Sequence, residues 1–153
     1  MRTVQRLALA IIMFSPFSLL DAQTGASVAE RQLFNSVNRA RQEQGLAPLR
    51  WSEALATAAR RHAGAMAKRG EAEHGFAGEP GLASRVTQAG AHFVSLAENV
   101  AQGPGADAIQ SEFLRSANHR ANLLDADMDS IGVGVVVARG GQLFAVEDFS
   151  KSK

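Results

Sequence analysis

The sequence contains no cysteine among its 153 residues, and this absence limits how the domain can be stabilised and attached. Neither a disulfide nor a lipid-modified cysteine is available, so an exported domain with this composition must be held together by burial of apolar side chains. A cysteine nucleophile is excluded for the same reason. The length is sufficient for one substantial core and too short for a second full domain beside it.

The sequence also lacks an excess of charge of either sign, with 16 basic and 15 acidic side chains. No stripe of basic residues interleaved with aromatic residues occurs, and such a stripe would be typical of a nucleic-acid-binding surface. We therefore expect neither nucleic acid nor an anionic bilayer as a partner. Internal repeats and low-complexity segments are absent as well.

A long hydrophobic run is missing too, since the main apolar stretch lies near the amino terminus and is interrupted. Arg2 and Arg6 are followed by the apolar segments 7–13 and 17–20, and Ala22 offers a small residue for cleavage. Crossing a bilayer takes about 20 apolar residues. A basic start, a short apolar region and a small residue are the features of a secretory signal peptide.

We predict that residues 1–22 are a signal peptide cleaved after Ala22 and that residues 23–153 form a single domain. Cleavage removes two basic and one acidic side chain, so the predicted mature domain is formally neutral. The expected location is secreted, either periplasmic or extracellular, without a stable membrane anchor after cleavage. We expect a monomer.

Helical periodicity dominates the first part of the predicted domain. Ser27 and Glu30 match a capping box at the start of a helix that Gly45 ends. Ser52 is suited to cap a second, alanine-rich helix that ends before Gly70. Two shorter helices are predicted further on. They run from the Glu79-Pro80-Gly81 segment to Ala89, and from about Asp107 to Arg115.

Beyond Asp129 the pattern changes to the alternation of β-strands. Residues 131–137 and 143–149 alternate around an Arg-Gly-Gly-Gln turn and predict a terminal β-hairpin. Both faces of this hairpin are apolar, because Phe144 and Val146 lie on one side and Leu143, Ala145 and Phe149 lie on the other. A sheet buried on both faces needs helices on both sides.

Several short motifs, taken together, resemble a known family. Residues 28–149 are similar to a bacterial member of the CAP superfamily, also called the SCP domain. This resemblance implies an α+β fold, a three-layer α-β-α sandwich with helices first and a C-terminal β-hairpin, and a further strand near residues 92–101. The motifs are Phe34 to Arg41, His74-Gly75-Phe76, Ala97-Glu98-Asn99-Val100, Ser116 to Leu124 and Ile131 to Val135.

The resemblance also implies a central cavity. In CAP domains a histidine after the second helix, a glutamate before Asn-Val, and a histidine before the closing strands converge there, and these correspond to His74, Glu98 and His119. Imidazoles and one carboxylate suit Zn²⁺, which takes nitrogen and oxygen ligands and keeps an open position when the protein supplies three. His74, Glu98 and His119 are therefore the predicted cavity and metal residues for a weakly held Zn²⁺ or another divalent cation.

The sequence departs from the family at a second glutamate, which relatives carry near the position of Ser116. Glu112 is the acid on that helix, and we interpret it as a solvated residue. Glu147 or Asp148 on the final strand is the alternative, and strand parity from sequence does not choose between them. The loss of this carboxylate is the reason to expect weak metal binding.

Three further residues are predicted to support the cavity from behind its lining: Asn99, Arg120 and Asn122. An arginine can pair with a nearby carboxylate, and an asparagine can close a turn through its own backbone. The other two histidines do not fit the pattern. His62 lies on the apolar stripe of the second helix and is predicted to be a hydrogen-bonded histidine at the core edge. His92 precedes Phe93 in a predicted loop and belongs to no functional motif.

The leading functional hypothesis is a secreted binding module of the cell envelope or extracellular space that holds a divalent metal and a small or lipidic ligand, or an envelope component. One alternative is a metal-assisted hydrolase of peptides or esters, with Glu98 as the base. No His-Glu-x-x-His helix or Gly-x-Ser-x-Gly motif supports it. The other alternative is a non-catalytic domain whose histidines and Glu98 form a buried polar network.

Overall fold

The computed structural model describes residues 26–152, so the predicted signal peptide at 1–22 lies outside the described residues. No helix in the described part of the chain is long and apolar enough to cross a membrane. Five helices and four strands occur within these residues: α1 (Val28–Glu43), β1 (Arg50–Trp51), α2 (Glu53–Arg69), α3 (Leu82–Gln88), β2 (Phe93–Gly103), α4 (Ala106–Arg115), α5 (Ala117–Leu123), β3 (Ser130–Val137) and β4 (Leu143–Ser152).

The four strands form one sheet in the order β1-β3-β4-β2. β1 runs parallel to β3, while the β3–β4 and β4–β2 pairs are antiparallel. Apolar residues of α1, α4 and α5 pack on one face of the sheet, and those of α2 and α3 pack on the other. The predicted three-layer α-β-α sandwich with a terminal hairpin is therefore confirmed, and the further strand is β2 at one edge of the sheet.

The helix boundaries follow from local chemistry. The Ser27 side chain accepts from the Glu30 backbone and the Glu30 side chain accepts from the Ser27 backbone, which is the predicted capping box. The Ser52 side chain caps α2 by accepting the backbone N–H of Leu55. Gly70 ends this helix in the left-handed conformation that glycine adopts without steric cost. These predictions are confirmed to within about two residues.

α2 packs closely against the middle of β3. A Cβ atom added to Gly132 or Gly134 would lie under 3.0 Å from the backbone of α2, at Leu55 and Ala56 or at Ala59 and Arg60. The two glycines face α2, because alternate residues of a strand share one face. The missing side chains let the helix axis approach the sheet more closely than ordinary packing would allow.

Two elements were not predicted. β1 has only two residues, and α5 is a seven-residue helix whose N-cap, Ser116, is also the C-cap of α4. Elements this short contain too little apolar periodicity to stand out in the sequence. The interpretation of Asn122 as a residue that closes a turn was wrong, since it lies within α5.

Candidate functional site

The centre of the predicted site lies on the edge strand β2, where two neighbouring residues point to opposite faces of the sheet. Glu98 is paired across the ladder with Asp148 of β4, and Asn99 is paired with Glu147. All four of these polar side chains are buried. The site therefore has one half on the α2–α3 side and the other half on the α4–α5 side.

Glu98 is held by two side chains on its face of the sheet. Its Oε1 lies 2.9 Å from His74 Nδ1, and its Oε2 accepts a hydrogen bond from Arg85 Nη2. The same guanidinium donates through Nη1 to the carbonyl oxygens of His74 at 3.3 Å and Pro80 at 3.1 Å. Both Glu98 oxygens are thus occupied, and Arg85 links this carboxylate to the loop that carries His74.

Asp148 lies fully buried beside Glu98 on the same face. Burial, and then the negative charge of Glu98, raise the pKa of Asp148 well above its usual range, while the Arg85 charge opposes them. Neither Asp148 oxygen has a hydrogen-bond partner within the described residues, so burial favours the protonated, uncharged form of this group. The Arg85 guanidinium contacts the Glu98 carboxylate, which offsets the cost of burying either charge alone.

On the other face, an asparagine pair supports the backbone of the site. Asn99 Nδ2 donates to the His119 carbonyl at 3.1 Å and to Glu147 Oε2 at 3.2 Å. Asn122 Nδ2 donates to Asn99 Oδ1 at 2.9 Å and to the Glu98 carbonyl at 3.2 Å. Desolvation raises the pKa of the fully buried Glu147 to about 8, and the hydrogen bond from Asn99 opposes the rise. The two asparagines tie α5 to the edge strand.

The two histidines of the site differ in environment. The His74 side chain is 62% exposed, although its Nδ1 is fixed by Glu98. The His119 ring packs edge-on against Phe113, with centroids 5.0 Å apart, and its Nδ1 is buried without a hydrogen-bond partner. Burial lowers the pKa of His119, Glu112 raises it, and the nearby His74 lowers it. His74 lies on the loop between α2 and α3, and His119 lies on α5, on the other side of the sheet. The two imidazoles are near enough for His74 to lower the pKa of His119.

The predicted ligands are not arranged as a metal site. Among residues 26–152, no group of three or more histidine or acidic side chains is placed to hold a metal ion. Glu98 is already committed to Arg85 and His74, so a His-His-Glu set would require it to leave both partners. The observed donor set does not fit a resident Zn²⁺, and the predicted weak divalent site remains to be tested by titration.

The candidates for the second carboxylate are also separated. Glu147 and Asp148 are both buried, but they lie on opposite faces of the sheet, and Glu112 is exposed on α4. Arg120 is exposed on α5, and no ion pair within the described residues includes it. Of these candidates, Asp148 is the one that shares the face of Glu98, and its carboxyl group is fully buried.

Sequence reasoning missed Arg85, the buried cation of the site. Glu98 has apolar neighbours in the sequence, where an unpaired carboxylate is costly, and the polar-network hypothesis paired it with the histidines alone. Arg85 lies on the short helix α3, where it is 5% exposed beside Val86. The sequence of α3 is mostly polar and gives no signal that its arginine is buried. His62, by contrast, is a fully buried hydrogen-bonded histidine as predicted.

A three-layer α-β-α sandwich with a histidine-bound glutamate on its edge strand is an SCP-type domain. The chain belongs to the CAP family, described as the cysteine-rich secretory protein family, whose model matches residues 34–149. The chain contains no cysteine, so the sandwich described here contains no disulfide.

Individual relatives agree with this assignment. The protein YkwD of Bacillus subtilis (strain 168) is 28% identical over 117 residues, which cover 76% of this chain and 46% of YkwD. An extracellular SCP-domain protein of Bacillus anthracis str. Ames is 25% identical with a TM-score of 0.73, covering 81% of this chain and 40% of that chain. The chain thus spans less than half the length of either Bacillus protein.

A further solved structure shows the fold alone. An outer surface protein of Borrelia burgdorferi has a TM-score of 0.75 at 21% identity, with 82% of this chain and 93% of that chain covered. This similarity extends over nearly the whole of that protein. The SCP-type sandwich therefore also forms almost an entire chain in another organism.

Proposed function

We propose that this protein is an exported, non-catalytic binding module that holds a small or lipidic ligand, or an envelope component, at the edge of β2. The observation that carries the proposal is the state of His74, which is fixed through Nδ1 to Glu98 while its ring is 62% exposed. An imidazole held in one orientation and open to solvent is suited to contact a polar group through Nε2.

The orientation of His74 selects the kind of group it recognises. When Nδ1 carries the proton donated to the Glu98 carboxylate, Nε2 of the neutral ring is an acceptor. A ligand hydroxyl is then the simplest partner. Burial is the main cause that lowers the pKa of His119, which favours the neutral form of the other imidazole of the site. The edge of β2 thus favours an uncharged polar group rather than an anion.

The hydrolase alternative has less support. It needs Glu98 to accept a proton from water, yet the side chain is buried and both of its oxygens are hydrogen-bonded. A general base must lie within hydrogen-bond reach of the proton it removes and be free to take it. A carboxylate held against a buried arginine is a structural anchor, which favours the polar-network interpretation for Glu98 itself.

Export is supported by two independent observations. Residues 1–22 have the order of a signal peptide, with a basic start, an apolar middle and a small residue before the cleavage point. The similar SCP-domain protein of Bacillus anthracis, 25% identical, is described as an extracellular protein. A periplasmic or extracellular location follows as part of the proposal.

Octanol, which combines one hydroxyl with an apolar chain, is the first probe of this site. We expect it to stabilise the parent and not the His74→Ala/His119→Ala double variant. Saturation at a hundredfold over the dissociation constant adds about 2.7 kcal/mol, a rise of several degrees in Tm. The matched control is His92→Ala, which removes an exposed histidine next to β2 and should respond to octanol like the parent.

The same thermal series tests the competing functions. Equal stabilisation of the parent and the double variant by octanol would place the binding surface elsewhere. A Zn²⁺-dependent rise in Tm that EDTA reverses and the double variant lacks would show that the two imidazoles bind the metal. Turnover of an ester or peptide panel that Glu98→Gln removes would overturn the non-catalytic assignment.

A further inference from the structure

The loop between α2 and α3, which carries His74, has little regular structure of its own. Two buried side chains from the flanking helices hold its backbone at adjacent carbonyl groups. His62 Nε2 of α2 lies 2.8 Å from the Glu73 carbonyl, and Arg85 Nη1 of α3 donates to the His74 carbonyl at 3.3 Å. The position of the His74 ring therefore depends on the contacts that His62 and Arg85 make with the loop backbone.

His62 is fully buried, and both of its ring nitrogens face oxygen atoms. Besides the Glu73 carbonyl at Nε2, Glu79 Oε1 lies 2.7 Å from Nδ1. The second oxygen of Glu79 accepts the backbone N–H of Phe76 at 3.3 Å. One glutamate thus bridges α2 and the loop, with one oxygen on the helix side and the other on the backbone two residues beyond His74.

The geometry requires a definite number of protons. A carbonyl oxygen only accepts, so His62 Nε2 must carry a hydrogen. The contact between Nδ1 and Glu79 Oε1 then needs a second hydrogen, because two lone pairs at 2.7 Å would repel each other. Whether the imidazole or the carboxyl group holds it, one proton lies between these two atoms.

We propose that His62 and Glu79, joined by this one shared proton, are positioning residues that fix the loop and thereby hold the His74 imidazole at the binding edge. The effect of the His62–Glu79 pair on ligand binding rests on the function proposed above, whereas the effect of the pair on the loop does not. Loss of the shared proton would set two acceptors against each other and loosen the loop. Arg85 would still hold the His74 carbonyl, so the loop would be freed at its Glu73–Phe76 part rather than unfolded.

The surroundings of the pair are mostly apolar, and the Glu79 side chain is 14% exposed. The Phe76 ring lies 6.0 Å from the His62 ring and is covered on its outer side by the Arg69 guanidinium at 4.6 Å. Buried Ala63, Met66 and Val146 belong to the apolar cluster against which Phe76 packs. Among the described residues, the charged side chains that contact this loop include Arg69 over the Phe76 ring, Arg85 at the His74 carbonyl and Glu98 at His74 Nδ1. The loop itself also carries the titratable residues Glu71, Glu73 and His74.

The decisive measurement on the parent is a long-range ¹H–¹⁵N spectrum of the histidine side chains in the full chain. We expect His62 Nε2 to carry a proton and Nδ1 to be either protonated or hydrogen-bonded to a protonated Glu79, whose carboxyl signal is read in parallel. A His62 ring with one proton beside an ionised Glu79 at neutral pH would overturn the proposal. This test needs no variant and is independent of any ligand.

Amide hydrogen exchange of Phe76 tests the mechanical part. Glu79→Ala should speed exchange of this amide about tenfold, as expected for loss of a hydrogen bond, with the β3 and β4 amides unchanged. Glu79→Gln should keep the protection, because its amide can donate to His62 Nδ1 and accept from the Phe76 N–H. Unchanged Phe76 protection in Glu79→Ala would contradict the proposal. Glu71→Ala, an exposed change in the same loop, is the control and should behave like the parent.

Octanol titration of the same variants connects the pair to binding. We expect the dissociation constant to rise several-fold in Glu79→Ala and to be unchanged in Glu71→Ala. Equal affinity in both variants, with a loosened loop in Glu79→Ala, would refute the link between the pair and His74. If octanol does not bind the parent at all, the proposed function fails, while the side-chain spectrum and the exchange rates still decide whether His62 and Glu79 hold the loop.

Discussion

Alanine at Gly134 is expected to prevent stable folding. The added Cβ would lie under 3.0 Å from the backbone of Ala59 and Arg60, so the obstacle is the helix itself and not a side chain that can rotate. Overpacking a core costs about 1–3 kcal/mol when side chains can adjust, and a clash with helix backbone exceeds that range. Because small domains have about 5–15 kcal/mol of stability, Gly134→Ala should be largely unfolded or insoluble.

Gly64→Ala is the matched control for this effect. Gly64 lies inside α2, where an added Cβ would meet nothing within 4 Å. Alanine is preferred over glycine in a helix interior by about 0.5–1 kcal/mol, so the same substitution should raise stability here. Circular dichroism and urea unfolding of the two variants give the comparison. A Gly134→Ala protein with parental stability would mean that α2 does not lie as close to β3 as described.

The second large effect concerns the buried carboxyl group of Glu147. Its pKa is raised from 4.5 to about 8 by burial, so the folded state keeps a proton that the unfolded chain releases above its ordinary pKa. The contribution of this group to the free energy of unfolding is then fully present below pH 4.5 and is lost as the pH rises from there through about 8. The loss reaches about 4 kcal/mol at pH 8. Glu147→Gln should be equal to the parent in stability at low pH and about that much more stable at pH 8.

Glutamine is a suitable replacement because it resembles the protonated acid in shape and charge. Its oxygen can accept the hydrogen bond that Asn99 Nδ2 gives to Glu147 Oε2 at 3.2 Å. Urea unfolding of the parent and variant from pH 4 to pH 9 isolates this group, since all other titrations are shared. Glu43→Gln, at an exposed position of α1, serves as the control and should run parallel to the parent. A parallel curve for Glu147→Gln would show that Glu147 is ionised in the folded protein.

Much of the fold was predictable because its signals are local. The capping box at Ser27 and Glu30, the glycine at position 70 and the alternation in the final strands each depend on neighbouring residues only. The sandwich followed from the apolar character of both hairpin faces together with the family motifs. The association of His74 with Glu98 came from those motifs, and it appears as a hydrogen bond of 2.9 Å.

The remaining features depend on pairings between distant residues. The ladder register places Glu147 opposite Asn99 and Asp148 opposite Glu98, and a shift of one residue would exchange the two faces. Arg85 gains its role only because α3 lies over the face of β2 that carries Glu98. Residues that meet across 13 or 48 positions of the chain leave no local pattern, which is why the buried cation and the two buried acids were not assigned.

The position of β2 at the edge of the sheet has a consequence for self-association. An exposed strand edge offers unpaired backbone groups with which a second chain can form a ladder. In this protein the Asn122 side chain takes the Glu98 carbonyl at 3.2 Å, and α5 lies along that part of the strand. The helix α5, which presents His119, therefore also covers this part of the edge, so that a change which frees α5 would open a surface for strand addition and aggregation.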